Sequence, residues 1–476
     1  MGKPVELREE IFKSTEAAVE LLGYEKPFKT QIELRGRITR DMIEEISRIK
    51  KEPEWMTRLR LRSLEFFYKL PTPKWVKGID AIDLEELLLY VKPDVEMVRD
   101  WDDLPPDLRE YYDRLGLPEV EKKLLAGLTT VFESETVYAK VKKYLEEKGV
   151  VVLPLEVAVS KYPDLVKEYF LRVFPFTEHK FAALHGALWS GGVFVYVPPG
   201  VRIREPIESF FLIGRSAEGQ FEHSLIVAGE GAEVTWIEGC SAPRLSKYSF
   251  HDGMVEAYAH KNAFVKIVTI QNWSRDVINF NNKRGIAEDN ARVDWVEGSI
   301  GSKMTYVYPS TILKGDYSST RNTVIQLAKG PVLKDTGSKA IHVGRMTRSK
   351  IINKSVSVDG GVNTYRGIIR VVRGAKYATS NVECEAMIFD SMSRAYTYPH
   401  NQVDELTATV SHEARTGRLS EAQLFYLQSR GLEEDEAKSL IVLGFLDEIM
   451  VELPFEYVNV LSKVIQLEFK KLGGYG

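Results

Sequence analysis

"GAEVTWIEG" at residues 231–239, "NAFVKIVTI" at 262–270 and "NARVDWVEG" at 290–298 each join a Gly or Asn turn residue to Ala-x-Val and an apolar strand. The copies start 31 and 28 residues apart, too long for the strands of a hairpin and suited to one coil of a solenoid. Turn signals at "KGDYSS" (314–319), "KDTGSK" (334–339), "VDGGVN" (358–363) and "VRGAKY" (372–377) continue the punctuation with a looser period. A mainly β chain with a parallel β-helix core is the natural reading, and a β-sandwich or jelly roll is its rival.

Working outward, the first ~120 residues read as helical. Residues 39–50 place Met42, Ile43, Ile46 and Ile49 on one face; after Pro53, Met56, Leu59, Phe67 and Leu70 form a stripe that ends at Pro71. A further helix is predicted over 164–174, and beyond Phe181 the helical period disappears. Residues 181–201 carry no Asp, Glu, Lys or Arg. Gly186, Gly191-Gly192 and Pro198-Pro199 break that run, so it reads as buried strands and not as a membrane span. Helices return at Ser420, where Ser420 and Gln423 fit a capping box and Gly431 a helix C-cap. Two amphipathic segments follow, 433–452 and 454–472; "LIVLGFLDEIM" (440–450) is apolar over more than one face and suits either domain core or a docking surface. The expected domains are a helical and α/β region over 1–180, the β-helix over 181–415 and a helical domain over 416–476.

Of the 476 residues, 44% are hydrophobic and 28% charged, and the net charge of -4 leaves no electrostatic footprint for nucleic acid. No nucleic-acid or membrane partner is expected. The start, MGKPVELREE, has charges and no apolar core segment, unlike a secretory signal. Two cysteines, Cys240 and Cys384, exclude a disulfide framework and paired CxxC zinc units, and point to the reducing cytoplasm. There is no G-x-x-x-x-G-K-[ST], GxGxxG or G-x-S-x-G, so nucleotide hydrolysis is not expected of this chain.

Polar chemistry is instead scattered through the β region: Cys240, Gln271 and Trp273 in "IQNW", Lys283-Arg284, His342, Cys384 and His412-Glu413. Taken singly, each has an ordinary structural explanation: Trp273 as a core aromatic, Lys283-Arg284 as a solvated loop, Asp335 as a turn residue. As a strand, "VECEAMIF" (382–389) puts Val382, Cys384, Ala386 and Ile388 on one face and Glu383 and Glu385 on the other, which by itself favours a buried structural cysteine. The same alternation separates His412 from Glu413, so both could serve one centre only if the strand turns or bulges there.

Together, "FVYVPPGVRI", "GQFEHSLIVA", "WIEGCSAP", "HKNAFVKIVTIQNW", "DTGSKAIHVG", "TYRG", "SHEA" and "LFYLQSRGL", with the N-terminal "PEWMTRLRLRSLEFFYKLPTPKW", resemble the SufB family, scaffolds of the SUF iron-sulfur cluster assembly machinery. The resemblance runs over nearly the whole chain. It implies a right-handed parallel β-helix with helical domains at both ends. It also implies a non-enzymatic scaffold fed with sulfur by a cysteine desulfurase system, partnered by a SufC-type ATPase and by a SufD-type paralogue or a second copy of itself. By the same resemblance Cys240 is the sulfur acceptor and Gln271, Trp273 and Lys283 line the sulfur path. Cys384, with Glu413 and His412 beside it, holds iron of the nascent cluster, 4Fe-4S or 2Fe-2S, and a reduced flavin is a candidate electron source. The family often carries Glu-His-Glu where this chain reads Ser411-His412-Glu413, and arginine where it has His223. The alternatives are a SufD-like paralogue without a sulfur-accepting role, and a carbohydrate-active β-helix enzyme, which should show closely spaced carboxylates along one groove.

Overall fold

The computed structural model describes residues 28–78, 82–106, 108–109 and 125–450, together with residues 462, 465 and 469. The three repeat segments become the strands Glu233–Ser241, Phe264–Trp273 and Arg292–Gly301, stacked parallel with Glu233 beside Phe264 and Phe264 beside Arg292. Their leading turn residues share one job. Gly231, Asn262 and Asn290 sit at φ of 68°, 59° and 57°, a left-handed conformation that Gly and Asn accept most readily. The N–H groups of Gly231, Asn262 and Asn290 donate to the carbonyls of Lys261, Asp289 and Asp316, one coil on in each case. Tyr317, Met346 and Tyr377 take the same conformation in the next three coils, at 61°, 55° and 60°.

Two sheets of ten and eleven strands form the walls of the solenoid. Pairing is parallel throughout, except where Gly127–Phe132 meets Glu135–Val141 and Val151–Pro154 meets Val193–Val197. Side chains alternate between the interior and an outer layer. In the Cys240 strand, Trp236 and Cys240 join the internal core with Val255 and Trp273, whereas Ile237 faces out. Against that outer face, Ile237, Val268, Val296, Ile325 and Ile352 pack on Val442, Leu446 and Met450 of the helix Glu434–Met450 and on Ile465 and Phe469. The apolar C-terminal segment is therefore in part domain core. The outer face of the second sheet packs on Phe181, Leu184 and Leu188 of the helix Lys180–Leu188 through Phe250, Ile278 and Phe280.

Several helices form where their signals lie. Arg40–Ile49 starts on Thr39, whose side chain accepts from the Met42 N–H, and Glu54–Lys69 follows Pro53. Glu421–Ser429 starts on Ser420, which accepts from the Gln423 N–H, and Gly431 follows its end at φ 92°. The expected segment 454–472 lies outside the described residues but for 462, 465 and 469.

Elsewhere the structure corrects the expectations. The N-terminal part is not purely helical, since Thr30–Arg35 pairs antiparallel with Leu88–Pro93. The helix expected over 164–174 is the shorter Pro163–Tyr169, after which Phe170 is extended and Leu171 left-handed. Residues 180–188 are helix, not strand; every residue from Phe181 to Leu188 is buried, so there was no polar face to reveal the period. Lys283 and Arg284 lie within the strand Val277–Ala287 and not in a solvated loop. Among the described residues no helix is long and apolar enough to cross a membrane.

"KDTGSK" is no turn either. It lies inside the strand Leu333–His342, where Asp335 receives a two-pronged ion pair from Arg366 of the neighbouring strand. Gly337 is needed there because a Cβ would lie 1.8 Å from the Arg366 carbonyl oxygen. Gly337→Ala is expected to destabilise the fold by about 3 kcal/mol or more through overpacking. Gly417→Ala, with nothing within 4 Å of the added methyl, is expected to stay within about 0.5 kcal/mol of wild type. Comparing the two denaturation midpoints checks this, and equal midpoints would refute the packing explanation.

Candidate functional site

Parallel, unshifted pairing converts sequence positions into columns that run along the solenoid axis. One inward column reads Glu238, Thr269, Glu297, Val324, Asn353, Cys384 and Ala414. The column two residues over reads Cys240, Gln271, Ser299, Gln326, Ser355 and Ala386. Five strand spacings of ~4.8 Å therefore separate the levels of the two cysteines, roughly 24 Å. The facing wall adds Asn279, Lys283, Thr305 and Lys334, all buried. Burying this many polar groups in a solenoid that could be filled with Val and Ile is unfavourable unless each finds a partner.

At the Cys240 end most do, although Glu238 Oε2 and Glu297 Oε1 have no hydrogen-bond partner among the described residues. Cys240 is 2% exposed, and its Sγ lies 3.4 Å from Glu238 Oε1. That oxygen also accepts from Gln271 Nε2 at 3.0 Å and lies 3.5 Å from Lys283 Nζ. Lys283 donates to Thr269 Oγ1 at 2.6 Å and to Glu297 Oε2 at 3.0 Å. Gln271 Oε1 in turn accepts from Trp273 Nε1 and from Asn279 Nδ2, at 2.5 and 3.0 Å, which fixes the amide. Behind it Asn279 Oδ1 lies 2.8 Å from His251 Nδ1, and His251 Nε2 lies 2.6 Å from Glu222. Gln271, Trp273 and Lys283, scattered in the sequence, are thus brought together around Cys240.

The chamber disfavours a thiolate at rest. Burial pushes the Cys240 thiol well above its usual range; Glu238 and Glu222 push the same way, and Lys283 opposes them. Burial raises the Glu297 carboxyl to about 7 against the pull of Lys283. Burial works against the Lys283 charge, but Glu238 and Glu297 outweigh it and hold the ammonium protonated.

At the other end Cys384 is 4% exposed, and His412 Nε2 lies 3.5 Å from its Sγ. Burial pushes this thiol up to about 12, opposed by Tyr365. His412 is lowered by burial, which leaves a neutral ring with a lone pair at neutral pH. The strand Thr409–Arg418 keeps perfect register with Thr379–Ile388, so the turn or bulge that would aim His412 and Glu413 at one point does not occur. Glu413 sits beside Glu383 on the opposite face and pairs with Arg415 at 3.3 Å. Among the described residues, Thr409–Arg418 ends its sheet and Arg394–Val403 ends the other, with Tyr396, Tyr398 and Leu406 exposed nearby. No three His, Cys, Asp or Glu side chains converge to hold a metal among the described residues, so Cys384 and His412 form a two-donor start and not a closed site. His342 is taken up by Thr347 and Ser349 and belongs to neither end.

Sequence reasoning missed Glu238, Glu297 and Thr269. A signal was present: "WIEG" and "WVEG" place a glutamate two residues after a core tryptophan, and hence on the same inward face, in two repeats.

Residues 211–445 match the family described as "SUF system FeS cluster assembly, SufBD core domain", and residues 50–208 match "SufBD protein N-terminal region". The chain is 42% identical over 433 residues to the iron-sulfur cluster assembly protein SufB of Bacillus subtilis, covering 91% of this chain and 93% of the relative. It is equally similar, at 42% over 433 residues and the same coverage, to an iron-sulfur cluster assembly SufBD family protein of Staphylococcus saprophyticus. A Staphylococcus aureus protein of the same description is 41% identical over 433 residues, again 91% of this chain and 93% of the relative.

Proposed function

The chain belongs to the SufBD family of SUF-system iron-sulfur cluster assembly proteins, and from that premise we propose that it is a scaffold which accepts persulfide sulfur on Cys240 and assembles a cluster at Cys384. The observation that carries this reading is the buried polar lane joining the levels of its only two cysteines. A persulfide anion is nucleophilic and easily lost to oxidants, and an enclosed path protects it. Lys283 favours the anion, while Gln271 and Trp273 shape the chamber around it. At the far end the thiolate of Cys384 and the imidazole of His412 take iron, and the carboxylate of Glu413, which faces away on the same end strand and pairs with Arg415, joins them only if that strand reorganises. Mixed ligands of this kind release a cluster more readily than four thiolates would.

Persulfide sulfur must gain two electrons to become sulfide, and a reduced flavin is the class of donor we assign to that step. A SufC-type ATPase supplies the nucleotide chemistry for which this chain has no motif. A cysteine desulfurase system supplies sulfur, and a SufD-type chain or a second copy of this one meets the strand ends. The presence of both Cys240 and Cys384 favours a scaffold over a SufD-like partner. Anaerobic reconstitution with ferrous iron and sulfide tests the reading: visible charge-transfer absorption is expected, and a colourless protein would overturn it.

A further inference from the structure

We propose that Glu238 is the base that takes the proton from Cys240 when sulfur arrives, a role that rests on Cys240 being the sulfur acceptor. Three features of the chamber carry it. Glu238 Oε1 lies 3.4 Å from Cys240 Sγ, two residues away on the same inward face. Gln271 Nε2 and Lys283 Nζ both approach that oxygen, at 3.0 and 3.5 Å, and hold the carboxylate against the thiol. Glu238 Oε2 is buried with no hydrogen-bond partner among the described residues, and can carry a proton without breaking an existing bond.

Electrostatics favours an internal transfer. A thiol beside a carboxylate and a thiolate beside a carboxylic acid carry the same single negative charge. Moving the proton across 3.4 Å therefore shifts a charge within the dry chamber and creates none. The other charged groups facing Glu238 are Lys283, Glu297 beyond it, and Glu222 with its partner His251. Among the described residues, Glu238 is the one of these charged groups within hydrogen-bond distance of the Cys240 sulfur.

In the step itself, the Cys240 proton moves to Glu238 and the thiolate attacks the outer sulfur of a donor persulfide, R–S–S–H. The Cys240 S–S bond forms, the donor S–S bond breaks, and the departing R–S⁻ takes the proton from Glu238. One S–S bond replaces another, so no oxidant or reductant enters.

The test uses the full chain, anaerobically, with cysteine persulfide as donor and mass spectrometry of the Cys240 peptide as readout. Glu238→Gln is expected to slow persulfide formation by about 10²-fold or more near neutral pH. The deficit should shrink about tenfold per pH unit as hydroxide replaces the lost base; ionisation of the donor cancels in the ratio of the two proteins. Glu238→Asp keeps a carboxylate farther away, and is expected to react more slowly than wild type with an unchanged pH profile. A Glu238→Gln deficit that does not vary with pH would mark Glu238 as a structural anchor for Lys283 and overturn the proposal. If that variant does not fold, a Glu238→Asp rate equal to wild type overturns it instead. No persulfide on wild-type Cys240 would remove the acceptor assignment itself, an outcome distinct from either.

Discussion

Replacing Lys283 by methionine is expected to destabilise the protein by about 3–5 kcal/mol near pH 8, the range for removing one partner of a buried ion pair. Lys283 is fully buried, with Glu297 Oε2 at 3.0 Å and Glu238 Oε1 at 3.5 Å. Methionine fills much of the same volume, so the loss reports the charge and not a cavity. Its pH dependence identifies the cause. Glu297 has a folded pKa raised to about 7 from 4.5, so it contributes most stability below 4.5, where both folded and unfolded chains hold the proton. That contribution is lost as pH rises toward the folded value. Without Lys283 the carboxylate is pushed higher still, and the variant should fall further behind wild type as pH rises from about 5 to about 8. Urea denaturation at the two pH values measures this, and an equal deficit at both would mean that packing, not charge, is what Lys283 provides.

How much of this was legible follows from which signals alternate and which drift. The solenoid could be read from Gly231, Asn262 and Asn290 because those residue types report a left-handed corner. The next corners at Tyr317, Met346 and Tyr377 have the same backbone and report nothing, since the conformation there is imposed by the coils on either side. The helix Lys180–Leu188 was hidden because it is buried on all sides, and "KDTGSK" misled because Gly337 serves a close strand contact and not a bend. For the site, the resemblance supplied Cys240, Gln271, Trp273 and Lys283, while strand alternation alone correctly separated His412 from Glu413. Neither could show that Glu238 and Cys384 occupy one column, because the offsets between coils vary from 27 to 31 residues and only the register fixes them.

Cys384→Ala is expected to lower the absorption gained on anaerobic reconstitution by at least about tenfold, and His412→Ala to weaken iron binding by about 10–100-fold. The two side chains stand 3.5 Å apart on adjacent strands, a spacing at which thiolate and imidazole would both reach one iron. Glu413→Ala should be milder, because its carboxylate faces away and is held by Arg415. A Glu413→Ala loss as deep as that of Cys384→Ala would mean that the strand Thr409–Arg418 reorganises when the cluster forms. The pH dependence gives an independent check. The Cys384 thiol, pushed up to about 12, must release a proton to bind metal, so iron affinity should rise about tenfold per pH unit through the neutral range. His412, lowered from 6.5, is already neutral there and adds no second slope. In Cys384→Ala that rise should vanish, whereas a slope that survives the substitution would place the proton-releasing ligand elsewhere and sink the assignment of Cys384.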